Sequence, residues 1–266
     1  MLIGCCIDLF RYDTLAACGF DSITLAAKDV VEWDEETFRS AQKKLKDGPL
    51  KTISLNSFCT PGLRLNGSGF DLAAVEAYTR RVCQRGSRLG FRMIGIGAPA
   101  SRSLRPGDAL PQCREQFKHS LSVMCRVARD YGMEILLESV CSLECNFITT
   151  TREALQLLRE LKEPNLHLVY DIYHEYMENQ PLSVIAEAAE EIRVVHIAQN
   201  VDNRRAYLHA DQAEIYRAYW DALKNAGYTG EWSLECFEGD PKQQIPASME
   251  IIRHLGTRSR DRGVTQ

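Results

Sequence analysis

The sequence lacks several features that would point to particular functions. No apolar run approaches the roughly 18 residues that span a bilayer, so no membrane segment is expected. A basic excess is missing too: 32 Lys and Arg stand against 36 Asp and Glu, for a formal net charge of -4. General nucleic-acid binding needs a basic footprint and is set aside. The ten cysteines contain no CxxC pair, so the paired thiolates of a structural zinc site are not expected. They read as free thiols in a reducing, cytoplasmic setting. The opening MLIGCCIDLF has no basic n-region and is interrupted by Asp8, so it reads as a strand and not a signal peptide. No glycine-rich phosphate loop follows it, which argues against an open doubly wound sheet.

What is present is a steady alternation of strand-like and helix-like segments. Apolar, β-branched runs fall at 2–10, 21–27, 51–59, 92–98, 133–140, 166–174, 192–199 and 231–237. Helical patterns fall between and after them, at 11–19, 34–48, 71–90, 112–132, 149–162, 181–191, 212–228 and 242–256. The 34–48 segment has an acidic first turn and a basic last turn, as the helix dipole favours. A threonine caps the 149–162 segment, and Pro181 opens the next. Pro246 is expected to kink or delay the last helix. Eight βα units over residues 1–256 are the count and length of a single-domain (β/α)8 TIM barrel. Residues 257–266 read as a polar tail.

In such a barrel the chemistry sits at the C-terminal ends of the strands. The fifth to eighth strands each place a metal-capable side chain there: Glu138, Asp171, His196 and Glu235. Any one of them alone would more often be a satisfied core group. Four at equivalent positions would converge at the barrel mouth. Three carboxylates cannot all stay ionised in a small pocket without a cation. No lysine or arginine occupies the neighbouring strand ends, so one divalent metal ion is expected instead of a ring of salt bridges. Three oxygens and one nitrogen suit Mn²⁺ first, then Mg²⁺ or Co²⁺, with Zn²⁺ within range. Cys141, Cys145 and Cys236 follow the strand ends and read as packing residues.

These motifs, ILLE, VYD, VVH and SLE, resemble those of the xylose isomerase-like TIM barrels, the sugar phosphate isomerase/epimerase group. The sequence is most similar to the D-tagatose/D-psicose (allulose) 3-epimerases. The likeness covers nearly the whole chain and is most specific between Met133 and Phe237. It implies that Glu138, Asp171, His196 and Glu235 bind the metal. It also implies that Glu138 and Glu235 exchange a proton next to a sugar carbonyl, through a metal-stabilised enediolate. Glu144, six residues after the first ligand, and His174, three after the aspartate, would bind substrate. So would one of Arg204 and Arg205, which come about two residues later than the family's arginine. The resemblance further implies a sugar substrate, phosphorylated or not, and a dimer or tetramer.

Other readings use the same scaffold. A metal-dependent dehydratase or lyase of a keto-inositol or dehydroshikimate-like substrate would use the same enolate chemistry. A DNA-repair barrel would need histidines on the early strands, where FDSITLAA, ISLNSFC and IGIGAPAS have none. His209 and Asp211, in LHADQ, read as a surface histidine and a helix cap before a second metal site.

Overall fold

The computed structural model describes residues 1–60 and 62–258. Its centre is a closed, all-parallel barrel of eight strands. These are β1 (Leu2–Cys6), β2 (Ser22–Ala26), β3 (Lys51–Asn56), β4 (Met93–Ile96), β5 (Glu134–Glu138), β6 (Leu166–Asp171), β7 (Ile192–Ile197) and β10 (Glu231–Leu234). The order around the wall is β1-β10-β7-β6-β5-β4-β3-β2, so each strand pairs with its neighbours in the barrel series and β10 closes onto β1. Two short strands outside the wall, β8 (Gln199–Val201) and β9 (Arg204–Ala206), form an antiparallel hairpin after β7.

The long helices pack outside the wall. They include α3 (Glu35–Asp47), α4 (Leu72–Arg88), α6 (Leu110–Asp130), α7 (Thr151–Leu161), α10 (Ala213–Asn225) and α11 (Pro241–Arg258). Local chemistry fixes their starts. Asp34 accepts from the Thr37 N–H at 2.7 Å and caps α3, whose inner face buries Phe38, Ala41 and Leu45. Thr150 and Glu153 make a reciprocal capping box on α7. The main core lies between wall and helices, and a smaller cluster of Leu136, Val169 and Val194 fills the barrel axis.

Some expectations change. The helices expected at 11–19 and 181–191 form as the short α1 (Tyr12–Cys18) and α9 (Ser183–Ala188), while unexpected helical turns form in the connections after the strands, as α2 (Ala27–Glu32), α5 (Pro99–Arg102) and α8 (Ile172–Met177). The expected sixth strand therefore ends at Asp171, whose carboxylate turns back to cap α8 by accepting from the Tyr173 N–H at 2.8 Å. Pro246 lies inside α11, which starts before it at Pro241. Asp211 lies in a single 3-10 turn, Ala210–Gln212, and α10 begins without a side-chain cap. The expected tail overlaps the last two residues of α11; the rest of it, 259–266, lies outside the described residues.

Candidate active site

Strand periodicity delivers the ionisable groups to the axis. Alternate side chains share a face, so Glu138 follows inward-facing Leu136, Asp171 follows Val169, and His196 follows Val194. Register aligns them: Asp171 pairs with His196, and His196 with Ser233, two residues before Glu235. The donor atoms of Glu138, Asp171, His196 and Glu235 lie within 4.8 Å of one another, and all four residues are buried.

His196 Nδ1 is the hub. It lies 3.1 Å from Glu138 Oε1, 3.3 Å from Glu235 Oε2 and 3.9 Å from Asp171 Oδ2. Its other nitrogen, Nε2, faces the Cys6 sulfur at 3.8 Å. This convergence of three carboxylates on one imidazole nitrogen is a donor set that fits a single hard divalent cation.

The expectation that no cation reaches these strand ends is corrected by the hairpin. Arg205, 6% exposed, is carried in from β9. Its Nη2 donates to Asp171 Oδ2 at 2.6 Å, and its Nη1 lies 3.0 Å from Glu235 Oε2. The guanidinium also packs over the Tyr173 ring, 4.7 Å from its centroid. Pairing of Asn200 with Arg205 across the hairpin puts neighbouring residues on opposite faces. Arg204 accordingly points away, 67% exposed in its side chain, near Glu238 at 3.5 Å. One arginine cannot balance three carboxylates. Arg205 and a divalent cation together would, with His196 neutral.

The surroundings split the two candidate acid/base groups. Burial pushes the Glu138 carboxyl up to about 7. Burial acts the same way on Glu235, but His196 and Arg205 outweigh it and hold that carboxyl well below the usual range. Burial, only partly opposed by Asp171, takes His174 down to about 4, so its ring is neutral at pH 7. His174 Nε2 lies 2.6 Å from Arg205 Nη2, and the Cys141 N–H approaches Nδ1 at 3.2 Å. A neutral imidazole accepts at one nitrogen only, so these two donors compete. Glu144 stands in the exposed loop after β5, with a carboxylate oxygen within 4.8 Å of donor atoms of Cys141 and His174. Of the eight residues read from the sequence, seven gather at the mouth, and Arg204 does not. His209 and Asp211 are exposed.

Sequence reasoning missed three supporting residues. Asn56 ends β3, and its Nδ2 donates to Glu235 Oε1 at 2.6 Å. It carries the same signal as the carboxylates, a polar side chain closing an apolar strand. Gly97 follows β4, and a Cβ there would overlap Glu138 Oε2, so glycine makes the space that this carboxylate fills. Tyr173 is the platform under Arg205, and nothing in DIYH marks it as such.

A family model described as xylose isomerase-like TIM barrel matches residues 12–255, and the chain belongs to that family. A ketose 3-epimerase of Arthrobacter globiformis is 36% identical over 41% of this chain and 37% of its own. An L-ribulose 3-epimerase of Methylomonas sp. (strain DH-1) is 34% identical over 50% of this chain and 47% of its own. These matches span half or less of the length of those relatives. The fold is shared with a D-allulose 3-epimerase from Methylomonas sp., solved in complex with D-allulose. Its TM-score is 0.81 at 21% identity, over 96% of this chain and 97% of that one.

Proposed function

We propose that this protein is a divalent-metal-dependent ketose 3-epimerase. The observation that carries the proposal is the convergence of Glu138, Asp171, His196 and Glu235 within 4.8 Å at the buried mouth of the barrel. Family membership and the 3-epimerase relatives support it. These four residues would hold the cation, with Mn²⁺ the first choice for so oxygen-rich a set. When bound, the cation supplies Lewis acidity to a sugar carbonyl and its neighbouring hydroxyl.

The chain's own groups do the rest. Glu138, at the end of β5, and Glu235, the residue after β10, reach the same imidazole nitrogen. One removes the proton at C3 and the other returns one to the opposite face. A carboxylate at each of two strand ends supplies the two proton-transfer groups that inversion at C3 requires. Arg205, His174 and Glu144 hold the sugar's oxygens, and Arg205 keeps its charge through the cycle. Burial of the two glutamates keeps bulk water from competing for the proton.

The test is solvent deuterium incorporation at C3 of unphosphorylated and phosphorylated ketoses, with metal analysis of the same sample. About one divalent ion per chain and C3 exchange without net loss of water are expected. Full activity in metal-free protein would end the proposal. Loss of water from the substrate would point to the dehydratase chemistry instead.

A further inference from the structure

The four converging residues need aiming as well as placing. Each carboxylate that faces His196 Nδ1 is held through its other oxygen. Asp171 Oδ1 accepts from the Tyr173 N–H at 2.8 Å, Glu235 Oε1 accepts from Asn56 at 2.6 Å, and Glu138 Oε2 fills the room left by Gly97. His196 is the fourth member, and its problem is different. Register with Asp171 on β6 and Ser233 on β10 fixes where its backbone stands. Register does not fix the ring, because the outer torsion of a histidine is broad and roughly two-fold. A half turn about that torsion would put a ring carbon where Nδ1 now faces the carboxylates.

The far side of the ring meets Cys6, the last residue of β1. The Cys6 sulfur lies 3.8 Å from His196 Nε2 and 3.4 Å from Ser233 Oγ, and all three residues are buried. The two neighbouring cysteines of β1 divide their roles. Cys5 packs into the main core, whereas Cys6 belongs to neither apolar cluster. Cys6 instead lines a cavity of about 340 Å³ beside the site. Without the sulfur, the ring would have that space to tilt into.

A sulfur suits this place. Metal-ligating histidines are oriented by what their second N–H meets, usually a carboxylate, a carbonyl or water. Another carboxylate would add charge to a pocket that already holds three. A buried thiol accepts weakly and adds none.

We propose that Cys6 is a positioning residue: its sulfur accepts the His196 Nε2–H and keeps Nδ1 turned to Glu138, Asp171 and Glu235. It acts through His196 and not on the sugar. The inference rests on the metal reading above.

The test is calorimetric titration of the metal-stripped full chain with Mn²⁺, for wild type and three variants. Cys6→Ser keeps an acceptor and should bind within about threefold of wild type. Cys6→Ala removes the acceptor and should bind about 10–100-fold more weakly, the usual cost of losing such a partner. Cys6→Val fills the space again without an acceptor and should bind as weakly as Cys6→Ala. Either of these two answers the question if the other fails to fold. A sulfur that merely packs would give another order, with Cys6→Val nearest to wild type and Cys6→Ser no better than Cys6→Ala. That order overturns the inference. One ion per wild-type chain, with an affinity that none of the variants moves, sinks this inference alone. A wild-type chain that binds no Mn²⁺ sinks the metal reading and this inference together.

Discussion

Replacing Gly97 by alanine adds one methyl group and tests the geometry of the whole site. The backbone at Gly97 needs no left-handed conformation, so alanine is tolerated there locally. The added Cβ would overlap Glu138 Oε2 and lie 3.5 Å from Glu138 Cδ and 3.6 Å from Val140 Cγ2. Only the carboxylate tip is in the way, and a side-chain tip can move. Relieving the overlap shifts it by about 1 Å, a displacement that costs on the order of 100-fold in rate when it misplaces a reacting group. Folding should hardly notice, because no core contact is lost. Gly97→Ala should therefore keep its Tm within about 3 °C of wild type, roughly 1 kcal/mol for a chain of this size. It should lose about 100-fold in kcat/KM for C3 exchange and bind metal more weakly by calorimetry. Wild-type kcat/KM together with wild-type metal affinity would refute the claim that Glu138 is fixed by the space Gly97 leaves.

Three further outcomes follow from the same geometry. Glu235→Gln should leave a folded barrel by circular dichroism while turnover falls by about 10²–10⁴-fold, the usual worth of a positioned acid/base; retained activity would remove Glu235 from proton transfer. Arg205→Ala breaks two buried ion pairs, a loss of about 3–5 kcal/mol, and should lower the Tm of the metal-free protein by about 10 °C. Added metal should recover part of that drop, whereas Arg204→Ala should shift Tm by less than about 2 °C; matching behaviour of the two variants would contradict the assignment. Glu175 is buried, accepts hydrogen bonds from Thr151 Oγ1 at 2.8 Å and Ser139 Oγ at 3.1 Å, and is raised by burial to about 7. Its folded pKa lies above the unfolded value, so the folded state holds the proton longer. Stability from this group is full below about pH 4.5 and declines until about pH 7, by about 3 kcal/mol. Glu175→Gln should lack that decline, and parallel Tm-against-pH curves for the two proteins would show the group to be ordinary.

The barrel was readable because each of its strands is an apolar run between helix signals. The metal-capable residues were readable for a related reason: an acid or imidazole at the end of such a run is costly unless something meets it. Asp171, His196, Glu138 and Glu235 all announce themselves in that way. Arg205 could not be found so directly, because strands of three residues are too short to show a period. Which of two adjacent arginines turns inward depends on cross-strand register, and register is a tertiary property. Asn56 carried the same signal as the acids in a weaker form, since an amide interrupts an apolar run less sharply. Gly97 carried no signal, because the space it leaves is defined by a carboxylate from the next strand.

The arginine hairpin has a bearing on how this site tolerates change. Its turn is built by Asp202 and Asn203, both with positive φ, the arrangement of a tight two-residue connection. Such turns fix register, and a slip of one residue turns every side chain of the ribbon over. In most ribbons that slip would remove the functional group. Here the residue rotated into the mouth would be Arg204, another guanidinium. The paired arginines thus act as a spare: an insertion or deletion at the turn would exchange one cation for its neighbour and leave the carboxylates with a counter-charge.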